Sequence, residues 1–239
     1  MSARVTLALA ALFAVLAGPD VAGWIAPSGS DPFGWGRLLD LTWRHALLAL
    51  GGAAPACLLG AAVGLWVARP GGAPLRPLAE SMAAAAQAVP PVVVVALAFP
   101  ALGFGAAPTL LALTLYCLMP VTRAAAAAVD ALPAAALEAA RAVGMEERDI
   151  LRGVVLPLVW PAIVPALRTA TLLAVATAAV GSLAGADTLG TPVVLGLRTM
   201  NAALLLQGAA ATAALAFALD GALSLAAGRF NRANRFVQS

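Results

Sequence analysis

The sequence predicts an all-α, polytopic membrane protein with about six transmembrane helices. Of its 239 residues, 62% are hydrophobic and only 10% are charged, whereas a soluble domain carries roughly 25% charged residues. The apolar residues also form long continuous runs, since neither 47–68 nor 81–122 contains a charge. A helix of about 20 apolar residues crosses the roughly 30 Å of hydrocarbon in a bilayer. The first run is therefore long enough for one span and the second for a helical hairpin.

The apolar segments divide the chain into six predicted helices. The first is ambiguous, because Arg4 and a short apolar stretch ending before Gly18 fit either a cleaved signal peptide or the retained helix that we prefer. We divide the chain into this helix with its outer loop (1–44), a membrane domain (45–228) and an arginine-rich cytoplasmic tail (229–239). The predicted helices lie at about 5–26, 45–68, 78–102, 107–129, 157–185 and 201–227.

The arginines indicate how the helices are oriented. With the N-terminus placed in the cytoplasm, ten of the 14 arginines fall on the inner side and three on the outer side, while Arg168 falls within a span near its cytoplasmic end. Because cytoplasmic loops are enriched in basic residues, this bias favours cytoplasmic N- and C-termini. The inner set is Arg4, Arg69, Arg76, Arg123, Arg141, Arg148, Arg152, Arg229, Arg232 and Arg235, and the outer set is Arg37, Arg44 and Arg198.

The residue types exclude several chemistries. All 14 basic residues are arginines, so the chain lacks the lysine of a Walker A loop or of a Schiff base. Any ATP that drives it must be bound by a partner subunit, and we expect no cofactor and no metal in this chain. The single His45 cannot form a multi-histidine site, and Cys57 and Cys117 lie in apolar segments where a free thiol behaves as a small hydrophobe. The oriented arginines explain the pI near 9.6, and we expect no nucleic-acid partner.

The most informative segment is the predicted inner loop 130–157. Pro133 suits a helix start, where its missing N–H would be unpaired anyway, and the alanine-rich stretch after it consists mostly of strong helix formers. Gly144 fits the left-handed residue that closes a helix. Glu146 and Glu147 then fall in the first turn of a second short helix, where acidic side chains favour the dipole. The loop therefore predicts two short helices that meet at a glycine corner on the inner face.

The spacing in this loop resembles the EAA loop of binding-protein-dependent ABC importer permeases. In that family the loop is the coupling helix, which docks into a groove on the cytoplasmic ATPase. The tripeptide alone would fit any alanine-rich surface helix, but the full spacing and the inner placement favour coupling. The resemblance implies the type I ABC importer permease fold (MetI-like), with the docking contact made at Glu138 to Gly144. The matching residues are Glu138, Ala139, Ala140, Gly144, Val154, Leu156 and Pro157, with valine at 154 where isoleucine is commoner.

Within that family, the resemblance covers about 45–228 and is greatest to permeases for glycine betaine, choline and related osmoprotectants. It implies import of such a solute, with another small solute such as an amino acid as the alternative. Many relatives have Gly-Ala-Gly-Gly-Leu-Gly where this chain has Asp187 and Thr188 at the two central positions, which indicates a subgroup of its own. The segments that carry the resemblance are Arg69-Pro70 with Arg76-Pro77, 87–91, 103–105, 189–192, Gly196-Leu197, Asn201 and 207–209.

Polar and proline residues inside the spans are candidates for the solute path. Gln87 lies one turn before Pro90 and Pro91, and a proline pair removes two backbone donors in mid-span. Broken helices survive in membranes where protein or a water-filled path accommodates the freed groups. These residues therefore line a path or mark a packing kink. Thr177 and Ser182 are further candidates, although such hydroxyls more often bond their own helix.

Two acids and two glycines complete the sequence predictions. Asp187 falls at an outer helix end, where it is solvated or caps the helix. Asp220 falls near an inner end, where it pairs with Arg229 or a partner subunit. Gly60 and Gly64 belong to a face of small residues that allows close helix packing.

The resemblance implies a permease subunit in a bacterial inner membrane. Its partners would be cytoplasmic ABC ATPase subunits, an extracytoplasmic solute-binding protein and a second copy or a sister permease, all assembled within the lipid bilayer. One alternative is a secondary transporter or channel, against which the chain offers neither an internal repeat nor an intramembrane ionisable cluster. The other alternative is a membrane enzyme, but one histidine, no lysine and no clustered acids provide no catalytic set.

Overall fold

The structure, a computed structural model, describes residues 3–25, 32–69 and 71–235. Throughout these ranges the regular elements are helices, as the sequence predicts. Single turns of 3₁₀-helix at Ala73–Leu75 and Gly181–Ala184 and a π-helical turn at Leu151–Val155 adjoin the α-helices. The α-helices are α1 (Ala3–Leu16), α2 (Pro19–Ile25), α3 (Trp35–Val67), α4 (Arg76–Ala88), α5 (Pro91–Leu102), α6 (Ala106–Asp130), α7 (Ala134–Ala142), α8 (Glu147–Ile150), α9 (Leu156–Val180), α10 (Gly190–Thr199) and α11 (Ala202–Arg235).

Four helical segments are long and apolar enough to cross a membrane: Trp35–Val67, Ala106–Asp130, Glu147–Ala184 and Ala202–Gly228. They confirm four of the six predicted spans. The prediction of one helix over 78–102 is wrong, because that stretch forms two helices that meet at 92°. The prediction of one helix over 5–26 is also wrong. A break after α1 leaves 14 residues there, fewer than the roughly 20 that cross a bilayer.

Two predicted connections are partly helical. Half of the predicted outer loop 27–44 belongs to α3, because Asp40 accepts hydrogen bonds of 2.9 Å from both Arg37 and Arg44. Such pairs, three and four residues apart, stabilise helices, so these charges reinforce the first turns of α3. The predicted loop 186–200 contains α10. Residues 26–31 of the outer loop, Pro70 of the quoted Arg69-Pro70 pair and the end of the tail, 236–239, lie outside the described residues.

The core of the fold is the contact between α3 and α6. At Gly60, a Cβ atom would lie 2.6 Å from the carbonyl oxygen of Leu118. At Gly64 it would clash with the carbonyl of Thr122. Backbone therefore packs directly against backbone, as the predicted small-residue face requires.

Buried polar side chains join the helices at fixed points. His45 lies within hydrogen-bond distance of the Val175 carbonyl, 2.9 Å, and its Nδ1 accepts the Leu189 N–H at 3.1 Å. Gln207 accepts the Phe33 N–H and donates to the carbonyls of Phe33 and Ala17. Since an unpaired polar group in an apolar core is costly, these bonds fix α3 against α9 and the N-terminal helices against α11.

The bundle has two distinct ends. At one end, Arg76 at the start of α4 contacts Asp130 at the end of α6, beside α7 and α8. We call this the coupling end. At the opposite end, Arg37 contacts Asp187 at 3.2 Å, and the Gly105 N–H donates to the Ala184 carbonyl at 2.7 Å. Three of the four spans, α3, α6 and α11, therefore run towards the coupling end, and α9 runs in the opposite direction.

The α3–α6 contact generates the first prediction. A Gly60→Ala substitution should cost about 1–3 kcal/mol of stability, because overpacking forces the backbones apart. Gly51→Ala is the matched control in the same helix, since its new methyl would stand 3.8 Å from Leu110. Thermal unfolding of the purified protein in detergent measures both. Equal midpoints for the two variants would contradict the close packing.

Candidate coupling segment and translocation path

The predicted glycine corner is present at the end of α7. Gly144 has φ +80°, a conformation that residues with a Cβ rarely adopt. Its N–H donates to the Arg141 carbonyl at 3.0 Å, and the Met145 N–H donates to the Ala140 carbonyl at 3.2 Å. This pair of bonds is a Schellman motif, which satisfies carbonyls at a helix end. The backbone bonds thus fix the angle at which the chain leaves α7.

The second arm of the corner differs from the prediction. Glu147 lies in the first turn of α8, as predicted, whereas Glu146 occupies the N-cap position without a side-chain cap hydrogen bond. The prediction that this second helix is short and separate is wrong, because α8 continues through the π-helical turn Leu151–Val155 into α9. Pro157 was expected at a helix start because a proline inside a helix lacks an N–H donor and clashes with the carbonyl four residues before it, and here the helix adopts the wider π turn just before this proline. The corner is therefore attached to a helical segment that runs from Glu147 to Ala184.

The residues of the coupling segment, 130–157, differ in their exposure. Glu138, Ala139 and Gly144 are exposed, whereas Ala140 is buried against the fold. Val154 and Pro157 are half-buried, and Leu156 is exposed. The exposed members form one surface at the tip of the segment, and the others attach that tip to the bundle.

Val143 belongs to the same tip, although the sequence pattern did not single it out. Its apolar side chain is 77% exposed, immediately before Gly144. An apolar residue at a helix end would be expected to pack inward, and only the fold shows that it points away. An exposed valine beside a rigid corner suits contact with another protein.

Arg76, which the sequence singled out only through the family resemblance, anchors the base of the segment. Its guanidinium donates to both carboxylate oxygens of Asp130, at 3.0 and 2.7 Å, and to Glu80 at 2.9 Å. Planar two-point pairing of this kind fixes orientation as well as distance. The start of α4 is thereby held to the residue that opens the coupling segment.

The predicted path residues around the proline pair lie at the bend between α4 and α5. Val89 and Pro90 have extended backbone conformations, and neither Pro90 nor Pro91 can supply an N–H to the carbonyls of the last turn of α4. Gln87 and Pro90 are exposed, and Pro91 is half-buried. The structure thus places the polar side chain of Gln87 on an open surface of the bundle, beside carbonyls that the two prolines cannot pair.

The other two path candidates are elsewhere. Thr177 is buried within α9. Ser182 is half-buried and donates its hydroxyl to the Ala179 carbonyl at 2.9 Å. Their place beside a solute path stays a prediction.

The two predicted acids have found specific partners. Asp187 is half-exposed and pairs with Arg37, with Arg44 at 3.9 Å. Asp220 has a partner that the sequence did not suggest, because Arg168 donates to both of its carboxylate oxygens at 2.7 Å, and the predicted pairing with Arg229 or a partner subunit stays a prediction. The side chain of Arg229 lies outside the described part of the chain. Arg168 was predicted within a span, but its partner depends on how α9 and α11 are rotated against each other.

This geometry agrees with a comparison to protein families. The family described as the binding-protein-dependent transport system inner membrane component matches residues 60–232. The chain belongs to this family. It is therefore a membrane permease component, as the glycine-cornered segment predicts, and the match covers that segment and the four long helices in whole or in part.

Curated relatives of this permease are similar over most of their length. An osmoprotectant import permease protein of Salmonella typhimurium is 34% identical over 187 residues, which cover 78% of this chain and 79% of the relative. A glycine betaine/carnitine/choline transport system permease protein of Bacillus subtilis is 33% identical, covering 77% and 80%. A choline transport system permease protein of the same organism is 32% identical over the same shares.

Solved structures confirm the predicted fold of the permease. A chain of the MetNI methionine ABC transporter in an inward-facing conformation superimposes with a TM-score of 0.64 at 23% identity. The match covers 82% of this chain and 95% of that one. The fold is therefore the type I ABC importer permease fold.

The arginine anchors generate the second prediction. Arg76→Met should lower stability by about 1 kcal/mol, because it removes a two-point pair with Asp130 and a third bond to Glu80, each of which is screened by water. Arg141→Met is the matched control, since Arg141 makes one bond with Glu147, an exposed pair of the kind worth roughly 0–1 kcal/mol. Thermal unfolding in detergent reports both, and a larger loss in the control would show that Arg76 does not anchor the segment.

Proposed function

We propose that the chain is the membrane-spanning permease subunit of an ATP-driven importer for a small osmoprotectant such as glycine betaine or choline. The single observation that carries the proposal is the similarity to curated osmoprotectant permeases over more than three quarters of the chain. Because the chain has no lysine, it has no Walker A loop of its own. ATP hydrolysis therefore belongs to a partner.

The coupling segment is the proposed contact with that ATPase. Its exposed tip presents Glu138, Ala139, Val143 and Gly144 on a corner held by backbone hydrogen bonds. Small side chains allow a groove to approach the helix backbone closely, and the fixed corner prevents the two arms from folding independently. Movement of the ATPase is then transmitted to α9, since α8 and α9 are continuous.

The opposite end of the bundle is the proposed outer face. Arg37, Arg44 and Arg198 fall there, against ten arginines towards the coupling end, so the coupling end faces the cytoplasm. An extracytoplasmic solute-binding protein delivers solute at the outer face. This orientation also places both termini in the cytoplasm.

A second permease copy, or a sister permease, completes the path. The bend at Gln87 and Pro90 is open in this chain, and unpaired carbonyls and a polar side chain are not stable against lipid. The path forms where this surface meets its counterpart across the dimer. Closure of the ATPases draws the two coupling segments together and exposes the path alternately to each side.

The third prediction tests the solute class. A strain without osmoprotectant uptake is complemented with this chain, its ATPase and its binding protein, and radiolabelled glycine betaine, choline, carnitine and proline are supplied. We expect uptake of at least one of the first three. The control replaces the Walker A lysine of the ATPase. Uptake that survives this control would indicate a secondary transporter, and uptake of none of the four would overturn the proposed solute class.

The fourth prediction tests the coupling segment. Gly144→Asp should reduce uptake about tenfold or more, because a Cβ at φ +80° costs roughly 1–2 kcal/mol and the added charge enters the docking surface. Membrane insertion, measured by yield and thermal unfolding, should be retained.

Gly34→Asp is the matched control for this substitution. Gly34 precedes α3 at the opposite end, with φ −64° and open space around it, so it receives the same charge without strain. Normal uptake by Gly144→Asp, or an equal loss in Gly34→Asp, would exclude the proposed docking role.

A further inference from the structure

An ion pair lies inside the membrane-spanning part of the bundle. Arg168 is the midpoint of α9, Leu156–Val180, about 18 Å from either end at 1.5 Å per residue. Its guanidinium makes two hydrogen bonds of 2.7 Å to the carboxylate of Asp220 on α11. Charged residues at such depth face the bundle interior or a water-filled path and mark functional sites. The pair therefore calls for an explanation beyond surface charge.

The pair is only partly enclosed. The Asp220 side chain is 9% exposed, but that of Arg168 is 27% exposed. A cavity of about 390 Å³ opens onto both, lined by Pro165, Arg168, Thr169, Leu172, Phe217 and Asp220. Hydrocarbon chains would not solvate a half-open guanidinium, so the cavity is filled by water, by solute or by a second subunit.

The face of α9 that borders this cavity is polar along its backbone. Pro161 and Pro165 are exposed and remove the N–H donors that would pair the carbonyls four residues before them. Thr169 is exposed too, and its hydroxyl donates to the Pro165 carbonyl at 3.1 Å. Freed carbonyls at membrane depth are tolerated only where protein or a water-filled cavity meets them. The stripe that leads from the coupling end to Arg168 is therefore on the path side of α9.

We propose that the Arg168–Asp220 pair is a transit site for zwitterionic solutes, in which Arg168 receives a carboxylate and Asp220 a quaternary ammonium group. The proposal rests on the osmoprotectant function proposed above. A short zwitterion placed antiparallel to the pair exchanges one set of opposite charges for another. Arg168 keeps a two-point carboxylate contact, and Asp220 keeps a cation beside it. Neither charge is left unpaired when the solute arrives or leaves.

This exchange of ionic partners is expected of a site through which solute passes, and not of a site that binds solute tightly. When empty, the pair is closed and neutral, so it offers no isolated charge to a passing inorganic ion. The cavity contains one aromatic ring, Phe217, and that ring is stacked on Phe13 with centroids 5.6 Å apart. An ammonium group therefore lacks the several aromatic faces that hold it tightly. The solute is selected by its two charges and is released easily.

The fifth prediction compares the uptake of a zwitterion with the uptake of a cation. Maximal uptake rates of glycine betaine and choline are measured with saturating binding protein, so that the permease step is observed. Arg168→Gln should lower the betaine-to-choline ratio about tenfold, because only betaine loses a two-point, charge-assisted contact. Asp220→Asn should raise the ratio, because choline then meets an unpaired Arg168 whereas betaine still offers it a carboxylate.

The controls separate recognition from a purely structural clamp. If the pair only joins α9 to α11, both substitutions reduce the two rates equally, and an unchanged ratio overturns the proposal. Arg44→Gln removes an ion-paired arginine at the opposite end and should leave the ratio unchanged. If Arg168→Gln does not insert, Arg168→Lys retains the charge without the two-point geometry and should lower the ratio by a smaller factor. A wild-type protein that transports neither solute would refute the osmoprotectant function itself, which is a different outcome.

Discussion

Hydrocarbon offers no hydrogen-bond partner to a peptide group, so every backbone group at membrane depth must be satisfied by protein or by water. Four spans meet this constraint as helices, and apolar runs in the sequence locate them for that reason. N–H donors are missing at the bend near Pro90 and at the prolines inside the helices, namely Pro55, Pro100, Pro120, Pro161 and Pro165. All of these positions except the half-buried Pro120 are exposed in this chain. The proposed path bordered by a second subunit would reconcile such surfaces with a bilayer.

Close packing gives the same bundle its rigidity. At Gly60 and Gly64 the backbone of α3 touches that of α6, with no side chain between them to repack. His45 adds a directional contact, because it bonds both to α9 and to the segment before α10. None of the α4 side chains that the structure describes is buried. Movement within α3, α6 and α9 is therefore more restricted than movement of α4 and α5. The α4 end of the bent pair is therefore the less enclosed part of this bundle.

The sequence predicted features that follow from one residue or one run. Gly144 could be predicted as a corner, because a left-handed position after a helix nearly requires glycine. The start of α3 could not, since Arg37, Asp40 and Arg44 have the composition of a loop, and only their mutual contacts show a helix. The proline pair predicted a break but not its 92° angle, which depends on packing against α6.

Contacts between distant segments could not be predicted from the sequence, for a geometric reason. Arg168 and Asp220 are separated by 52 positions, and their pairing depends on how each helix is rotated about its axis. Periodicity restrains that rotation when one face is polar, but α9 and α11 are apolar almost all round. The exposure of Val143 could not be predicted from the sequence for a similar reason. Its orientation depends on the Schellman bonds and on the burial of Ala140.

The continuous helical segment Glu147–Ala184 connects the glycine corner at the coupling end to the rest of the bundle. Its contacts with other helices include polar bonds at fixed heights: Arg168 to α11 at the midpoint, and Val175 to His45 of α3 further on. Apolar contacts allow helices to slide, whereas hydrogen bonds of defined length resist it. The π-helical turn Leu151–Val155 lies before all of these contacts, next to the corner. A π turn interrupts the regular α-helical hydrogen-bond pattern and is frequent at functional sites, so in the proposed coupling role this turn is where the segment bends.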